Sequence, residues 1–314
     1  MKLLPSKRAH LFVLERSRVY CRDGRVEYVT DEGRDPLGFN IPVANTMFLL
    51  LGPGCSITQE AVRLLRQEGV CIGFCGSGGT PLLSAQDPYP DMLLPADEYR
   101  EPAFLQRWIS GWQSESIRLA IAKSLMRRRV EYILDCWPAI DLDGPMPMAP
   151  ERDLEKALKA AENANSTAEL LGIEGGLTKL LYKSAAITCG FSDFKRQQRT
   201  GQGPVGEPNR FLDHGNYLAY GLASVVLWTL GLPASLSVLH GKTRRGGLVF
   251  DVADVIKDAC VLPTAFNVAA RMRSGDLDKS DTEFRSTCLN VFRDRRAMDV
   301  MFEAITDSLS ESAP

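Results

Sequence analysis

The sequence predicts an α+β protein in which a small β-rich N-terminal domain, residues 1–97, is followed by a larger all-helical domain, residues 98–314. Three observations support this prediction. The chain has 314 residues, more than one hydrophobic core usually organises. Apolar and polar residues alternate near the N-terminus, whereas apolar residues recur at helical spacing in the second part. A proline-rich stretch separates the two patterns.

Two strand signals open the N-terminal domain. The segment His10–Thr30 alternates apolar and polar residues around Asp23-Gly24, a dipeptide favoured in tight turns because both central residues take positive φ. We therefore expect a β-hairpin over this segment. A second, apolar strand is expected over Thr46–Leu51, which ends at a Gly-Pro-Gly sequence.

A helix and a further strand complete this domain. Ser56 and Gln59 have the spacing of a capping box, in which side chains bind the free N–H groups at a helix start. The helix should end near Gly69, before a buried strand over Val70–Phe74. The glycine-rich loop that follows lacks the Gly-Lys-Ser/Thr ending of a nucleotide-binding loop, which favours a plain turn.

Prolines between Asp87 and Pro102 mark the expected linker, because they stop both helix and strand. Beyond it, apolar residues place a stripe on one long helix that extends from Phe104 through Trp108 and Trp112 to Leu125. Further helices are predicted at Glu151–Ala161, Glu174–Ile187, Pro208–Leu230, Val252–Ala259, Thr264–Met272 and Asp281–Leu309.

Composition and charge restrict the function classes. The chain is 45% hydrophobic and 24% charged, as in globular proteins, and its eight scattered cysteines indicate reduced, buried thiols. A net charge of −2 argues against a protein that coats nucleic acid everywhere, so DNA binding would depend on local patches. The apolar stretch Leu11–Leu14 is too short for a signal peptide or membrane span, which predicts a cytoplasmic protein without membrane partners.

Three aspartates near the end of the chain are candidates for metal binding. Asp251, Asp254 and Asp258 are spaced three and four apart, so on a helix their carboxylates share one face. Like charges so placed repel one another, and a bound cation would relieve the repulsion. The alternative is a solvated acidic helix start that is stabilised by the helix dipole.

Two residues outside this helix are further candidates. His240 lies between an apolar stretch and a glycine, where a lone histidine is more often structural than a metal ligand. Glu174 lies among glycines at a predicted helix start, where its carboxylate could instead cap the helix. Taken singly, neither residue decides between metal binding and a structural role.

Basic residues lie close to these candidates in sequence. Lys242, Arg244 and Arg245 stand in a glycine-flanked loop that is suited to binding phosphates beside a metal. Arg196 and Arg199 form another basic cluster, as do the three consecutive arginines from residue 127. Such clusters are usually solvated surfaces, so these residues are candidates only.

Several segments together resemble a known family. They are Glu174-Gly175, Asn209–Ala223 (NRFLDHGNYLAYGLA), Gly231-Leu232-Pro233, His240 and Val249–Asp254, and their order also matches. The chain resembles the CRISPR-associated integrase family Cas1 over nearly its whole length. The phrases LLGIEGGLTKLLYK and GKTRRGGLVFDVAD are most similar to the type I-F branch.

The resemblance implies a catalytic metal site in the helical domain. Glu174, His240 and Asp254 take the places of the family's ligands, and Asp251 takes that of a supporting acid. The family inserts spacer DNA into a repeat array by transesterification of 3′-hydroxyl ends. A mixed oxygen and nitrogen site accepts Mg²⁺ but suits Mn²⁺ better.

The resemblance also implies partners. These are double-stranded and branched DNA, a second copy that pairs through the β-rich domain, and Cas2, fused in the type I-F branch to the Cas3 helicase-nuclease. Two rival hypotheses stay open on the sequence alone. One is a non-catalytic DNA-binding scaffold, and the other is a metal-dependent hydrolase of small phosphoesters with a closed pocket.

Overall fold

The computed structural model describes residues 10–30, 38–75, 92–93, 102–197, 206–240, 246–275 and 280–311. A strand-rich N-terminal region precedes a mostly helical C-terminal part, which confirms the predicted α+β class. The strands are β1 (His10–Leu14), β2 (Ser17–Arg22), β3 (Arg25–Thr30), β4 (Gly38–Asn40), β5 (Thr46–Leu51), β6 (Ser56–Ile57), β7 (Cys71–Phe74) and β8 (Met92–Leu93). The helices are α1 (Gln59–Gln67), α2 (Pro102–Trp112), α3 (Glu115–Ala139), α4 (Glu151–Asn163), α5 (Thr167–Thr188), α6 (Gly206–Leu230), α7 (Gly247–Ile256), α8 (Leu262–Ser274), α9 (Ser280–Asp294) and α10 (Ala297–Glu311).

The strands form two four-stranded sheets. In the first, β1, β5 and β7 are parallel and β8 pairs antiparallel with β7, in the order β1-β5-β7-β8. In the second, the order is β4-β3-β2-β6, with β2 and β3 as the antiparallel hairpin. The predicted hairpin over His10–Thr30 was therefore partly wrong, since β1 belongs to the other sheet. Arg16, with φ of 46°, lies at the break between them.

Strand β5 is buried on both faces, because the sheet that contains it lies between two cores. Phe48 and Leu50 face the large core that the helices also form. Leu49 and Leu51 face a smaller core shared with the hairpin and α1. A continuous apolar sequence is the expected signature of such a strand. The boundary between residues 97 and 98 remains a prediction.

The start of α1 differs from the prediction. Ser56 lies in β6, and the residue that caps the helix is Thr58, whose Oγ1 accepts a hydrogen bond from the backbone N–H of Ala61 at 3.3 Å. The helix ends at Gln67, close to Gly69, whose φ is 81°. Most of the predicted linker and the glycine-rich loop, residues 76–79, lie outside the described residues.

The predicted long helix is two helices, because α2 ends at Trp112 and α3 begins after Ser114. Two indole N–H groups of α2 donate to backbone carbonyls of a distant loop. Trp108 binds Leu236 at 3.0 Å and Trp112 binds Ser237 at 2.7 Å. The apolar stripe of α2 thus also anchors the segment that leads to His240.

The last part of the chain also differs from the prediction. Helices α9 and α10 replace one predicted helix and are separated at Arg296, whose φ is 54°. Helices α7 and α8 form one helical rod, because the π-helical segment Lys257–Val261 joins them. None of the helices in the described residues is long and apolar enough to cross a membrane.

Candidate metal centre

Three side chains from separate segments converge in the helical part of the molecule. Glu174 comes from the interior of α5, His240 from the loop before α7, and Asp254 from α7. Their ligand atoms all lie within 4.8 Å of one another. Among the residues that the structure describes, they are the one group of three or more potential ligands with this geometry.

The separations suit a shared cation. His240 Nε2 lies 3.6 Å from Glu174 Oε2 and 4.0 Å from Asp254 Oδ2. Atoms that each lie about 2.1 Å from one ion are at most about 4.2 Å apart. Two carboxylates and one imidazole are the ligand types that Mn²⁺ accepts and Mg²⁺ tolerates. The residues present therefore fit a divalent ion.

Glu174 does not begin a helix, contrary to the prediction. Helix α5 begins at Thr167, and Ser166 caps it by accepting a hydrogen bond from the N–H of Glu169 at 3.2 Å. Glu174 therefore lies two turns inside the helix, where its carboxylate cannot cap the N-terminus. This position excludes the capping alternative.

The three aspartates are buried, which excludes a solvated acidic helix start. Asp251, Asp254 and Asp258 are 4%, 6% and 2% exposed. They do not share one set of partners as the spacing suggested. Asp251 binds the loop before α7, Asp254 faces the candidate ligands, and Asp258 pairs with an arginine of α3. Asp258 belongs to the π-helical segment, which interrupts the regular helical spacing.

Asp251 fixes the orientation of His240. Its Oδ1 accepts hydrogen bonds from the backbone N–H of His240 at 3.0 Å and from the ring Nδ1 at 2.7 Å. Its Oδ2 accepts from Ser237 Oγ and from the N–H groups of Val238 and Leu239. With Nδ1 as donor, the lone pair of Nε2 points to the site, as in metal-bound histidines held by a second carboxylate. Asp251, the predicted supporting acid, thus orients a candidate metal ligand.

The carboxylates and the imidazole alter one another's protonation. Burial lowers the pKa of His240, but the hydrogen bond that its ring donates to Asp251 and the charges of Asp254 and Glu174 outweigh it and raise that pKa. Burial raises the pKa of Glu174, and the neighbouring Asp254 adds to this effect against the influence of Arg129. A bound cation would therefore compete with protons at both residues.

Arg129 is a supporting residue that the sequence prediction missed. It is 2% exposed, and its Nη1 donates to Glu174 Oε1 at 2.8 Å while its Nε donates to Asp258 Oδ2 at 3.0 Å. It stood in a run of three arginines that was interpreted as solvated. The signal was its position four residues after Leu125, where it continues the apolar stripe of Ile121 and Leu125.

Lys257 is a second missed residue. Its ammonium forms an ion pair with Oδ1 of Asp254 from one turn further along the helix. Burial raises the pKa of Asp254, but Lys257, Arg129 and His240 outweigh this effect and lower it to about 2. Asp254 is therefore ionised at neutral pH, as a metal ligand must be.

The predicted DNA-binding residues are only partly visible. Arg196 pairs with Asp213 of α6 and donates to Asn209 Oδ1 at 3.1 Å, so its guanidinium is engaged within the protein. Arg199, Lys242, Arg244 and Arg245 lie outside the described residues. A role in DNA binding remains a prediction for all five residues.

Comparisons with known proteins identify the family. The family model "CRISPR associated protein Cas1" matches residues 11–290. The chain is 46% identical to CRISPR-associated endonuclease Cas1 of Pseudomonas aeruginosa, over 99% of this chain and 95% of that protein. It is 44% identical to the protein of the same name from Pectobacterium atrosepticum, over 98% and 94%.

The fold is also found among solved structures. The crystal structure of a TtCas1–DNA complex superposes with a TM-score of 0.66, at 21% identity, over 96% of this chain and 91% of that chain. The two curated relatives belong to type I-F systems, which confirms the branch predicted from the sequence. The chain therefore belongs to the Cas1 family of CRISPR-associated proteins.

Proposed function

We propose that the protein is a metal-dependent DNA endonuclease and integrase of CRISPR adaptation, which inserts spacer DNA into a repeat array. The observation that carries this proposal is the convergence of Glu174, His240 and Asp254 within 4.8 Å in a chain of the Cas1 family. The endonuclease activity agrees with the names of the two curated relatives. Three ligands from three segments are a more specific signal than any one of them.

We assign the metal to Mn²⁺ or Mg²⁺, held by Glu174, His240 and Asp254. When bound, the ion supplies Lewis-acid polarisation of the attacked phosphate and lowers the pKa of the attacking hydroxyl. Asp251 keeps His240 Nε2 directed to the site. Arg129 occupies one oxygen of Glu174 and leaves Oε2 free to face His240.

The reaction proceeds by direct transesterification. The 3′-hydroxyl oxygen of the spacer duplex attacks a phosphorus of the repeat, and one new P–O bond forms as one backbone P–O bond breaks. The displaced 3′-oxygen of the repeat strand leaves with a proton, so no covalent protein intermediate is required. Cations are needed to neutralise the attacked phosphate, and Lys242, Arg244, Arg245, Arg196 and Arg199 are the candidates.

The cavity beside the site, within the part of the chain that the structure describes, is small and is not lined by Glu174 or His240. Among the described residues, the cavity lined by Arg129, Leu239, Asp251 and Asp254 has a volume of about 20 Å³. Pockets that enclose small ligands usually measure roughly 300–1,000 Å³. The hypothesis of a small-phosphoester hydrolase is disfavoured by the match to the Cas1 family over residues 11–290.

The proposed partners follow from the family and its branch. We propose that the protein acts on double-stranded and branched DNA, forms a homodimer through its β-rich domain, and assembles with Cas2 fused to the Cas3 helicase-nuclease. We also propose that it works in the cytoplasm. These assignments are supported by the similarity to type I-F relatives over almost the whole chain.

The test is strand transfer of a labelled duplex into a repeat-bearing plasmid, with Mn²⁺, Mg²⁺ or EDTA, and with and without Cas2. Glu174→Gln, His240→Ala and Asp254→Asn should each abolish joining while DNA binding persists. Asp153→Asn is the matched control, because the Asp153 side chain is half exposed on α4 and pairs with the exposed Lys156. Joining that survives in EDTA, or DNA binding without joining in every condition, would refute the assignment and leave the scaffold hypothesis.

A further inference from the structure

We propose that Cys136 and Cys260 form an oxidisable dithiol that closes to a disulfide between α3 and the π-helical segment. Cys136 Sγ lies 3.8 Å from Cys260 Sγ, although the two residues are 124 positions apart in the chain. All eight cysteines are free thiols in the structure. The proposal does not depend on the function proposed above.

The surroundings hold the two sulfur atoms in place. Tyr132 Oη lies 3.5 Å from Cys260 Sγ and donates to the backbone carbonyl of Arg295 at 2.8 Å. Trp137 Nε1 donates to the carbonyl of Asp258 at 2.9 Å, from the residue next to Cys136. Contacts on both sides join the same two segments and keep the sulfurs adjacent, and bond formation requires them to move from 3.8 Å to about 2.05 Å apart.

Cys136 is the thiol that we expect to react first. Its hydrogen bond with Cys260 lowers its pKa, and although burial acts in the opposite direction, Arg295 adds to the lowering. Burial raises the pKa of Cys189 to about 12 and also raises that of Cys260. Since the thiolate is the reactive form, Cys136 is the better nucleophile of the pair.

An oxidant can approach from the surface beside α3. Tyr132, Asp135 and Arg295 line a cavity of about 370 Å³ between α3 and the junction of α9 and α10. Cys136 is fully buried next to this wall. The Arg295 side chain, 24% exposed and paired with Asp135, separates the thiol from the cavity. A rotation of this one side chain would admit a molecule as small as a peroxide.

The chemistry requires a two-electron oxidant, for which hydrogen peroxide serves. The Cys136 thiolate attacks one peroxide oxygen, so that an S–O bond forms, the O–O bond breaks and hydroxide leaves. The Cys260 sulfur then attacks the resulting sulfenic acid, and an S–S bond forms as the S–O bond breaks. In total, two thiols and one peroxide give one disulfide and two waters.

The experiment treats the purified full-length protein with hydrogen peroxide, blocks remaining thiols with iodoacetamide, and maps peptides by mass spectrometry. We expect a peptide pair joined through Cys136 and Cys260 that disappears after dithiothreitol. We also expect a higher Tm after oxidation, because the bridge closes a long loop in the unfolded chain, and its reversal by reductant.

Matched variants separate this pair from the other thiols. Cys136→Ser and Cys260→Ser should lose the joined peptides and the Tm increase, whereas Cys189→Ser should keep both. The mapping on unmodified protein decides the question even if a serine variant fails to fold. Peptides joined through other cysteines, or Cys136 and Cys260 both recovered as free thiols after oxidation of the folded protein, would overturn the proposal.

Discussion

Asp254 and Asp258 lie one helical turn apart and are equally buried, yet their surroundings differ. Asp258 Oδ2 accepts hydrogen bonds from two nitrogens of Arg129, a buried planar cation that also donates to Glu174 Oε1 and Thr178 Oγ1. Asp254 faces Lys257, on a flexible side chain, and His240 at 4.0 Å. The comparison teaches that burial alone does not distinguish a structural carboxylate from a ligand. The difference lies in the basic side chain that pairs with each carboxylate: a metal ion could replace Lys257 at Asp254, whereas Arg129 is held at Asp258 by its other contacts.

The largest expected effect is on stability, from Asp258→Asn. This substitution leaves the Arg129 charge buried with one carboxylate fewer, and breaking a buried ion pair costs about 3–5 kcal/mol. The free energy of unfolding of the ion-free protein, measured in urea, should fall by that amount. Asp153→Asn should leave it unchanged. A loss below about 1 kcal/mol for Asp258→Asn would remove the distinction between the two aspartates.

The second effect is on metal binding, from Asp254→Asn. Loss of a direct ligand should weaken Mn²⁺ binding beyond the roughly 10–100-fold that is typical of changes to outer-shell residues. The same substitution should cost less stability than Asp258→Asn, because the Lys257 side chain is 17% exposed whereas that of Arg129 is 3% exposed. Isothermal titration calorimetry gives the affinity. Equal Mn²⁺ affinities for Asp254→Asn and the unmodified protein would show that Asp254 is not a ligand.

A smaller effect is expected from Asp251→Asn, which alters the orientation of His240 without removing a ligand. The Mn²⁺ affinity should fall by about 10–100-fold. The pKa of His240, followed by NMR of its ring protons in the ion-free protein, should fall as well, because the hydrogen bond that the ring donates to Asp251 raises it. A purely structural role for Asp251 would leave the imidazole pKa in place.

The smallest effect is the pH dependence of binding. Because the pKa of His240 is raised, the imidazole keeps its proton to a higher pH, and Mn²⁺ must displace that proton. Affinity should therefore fall as pH is lowered through this pKa, by at most about tenfold per pH unit for one proton. In the ion-free protein, protonated His240 stabilises the folded state. This stabilisation depends on pH in the opposite direction from Mn²⁺ affinity, because it is lost as the pH rises through the raised pKa. Calorimetry between mildly acidic and mildly alkaline pH measures the first trend, and a flat profile would contradict it.

Local signals predicted much of the fold. Strand β5 and the turn at Asp23-Gly24 both lie where the sequence pattern predicted them. Each is determined by residues that are close together in the chain. The extent of α5 was not predicted, because Gly172, Gly175 and Gly176 suggested a helix start at Glu174. The helix continues through them, since Leu170, Leu177 and Leu181 are buried along its length.

The site was less predictable than the fold. The positions of Glu174, His240 and Asp254 were proposed from family resemblance, and their proximity depends on the packing of α3, α5 and α7. Arg129 could not be assigned from its charge, because an arginine in a basic run is usually solvated. Asp258, the partner of Arg129, was expected on the same helix face as Asp254. The π-helical segment turns Asp258 towards α3 instead, and such a segment has no simple sequence signal.

The two-sided burial of β5 restricts how this protein can exchange parts with its relatives. Phe48 and Leu50 belong to the same core as the helices that carry the candidate ligands, whereas Leu49 and Leu51 belong to the core of the hairpin. A chimera joined at the predicted linker would place one parent's strand against another parent's helices. Recombinants should therefore fold well only when β5 and the helices it contacts come from one source, so the two halves are inherited as a unit.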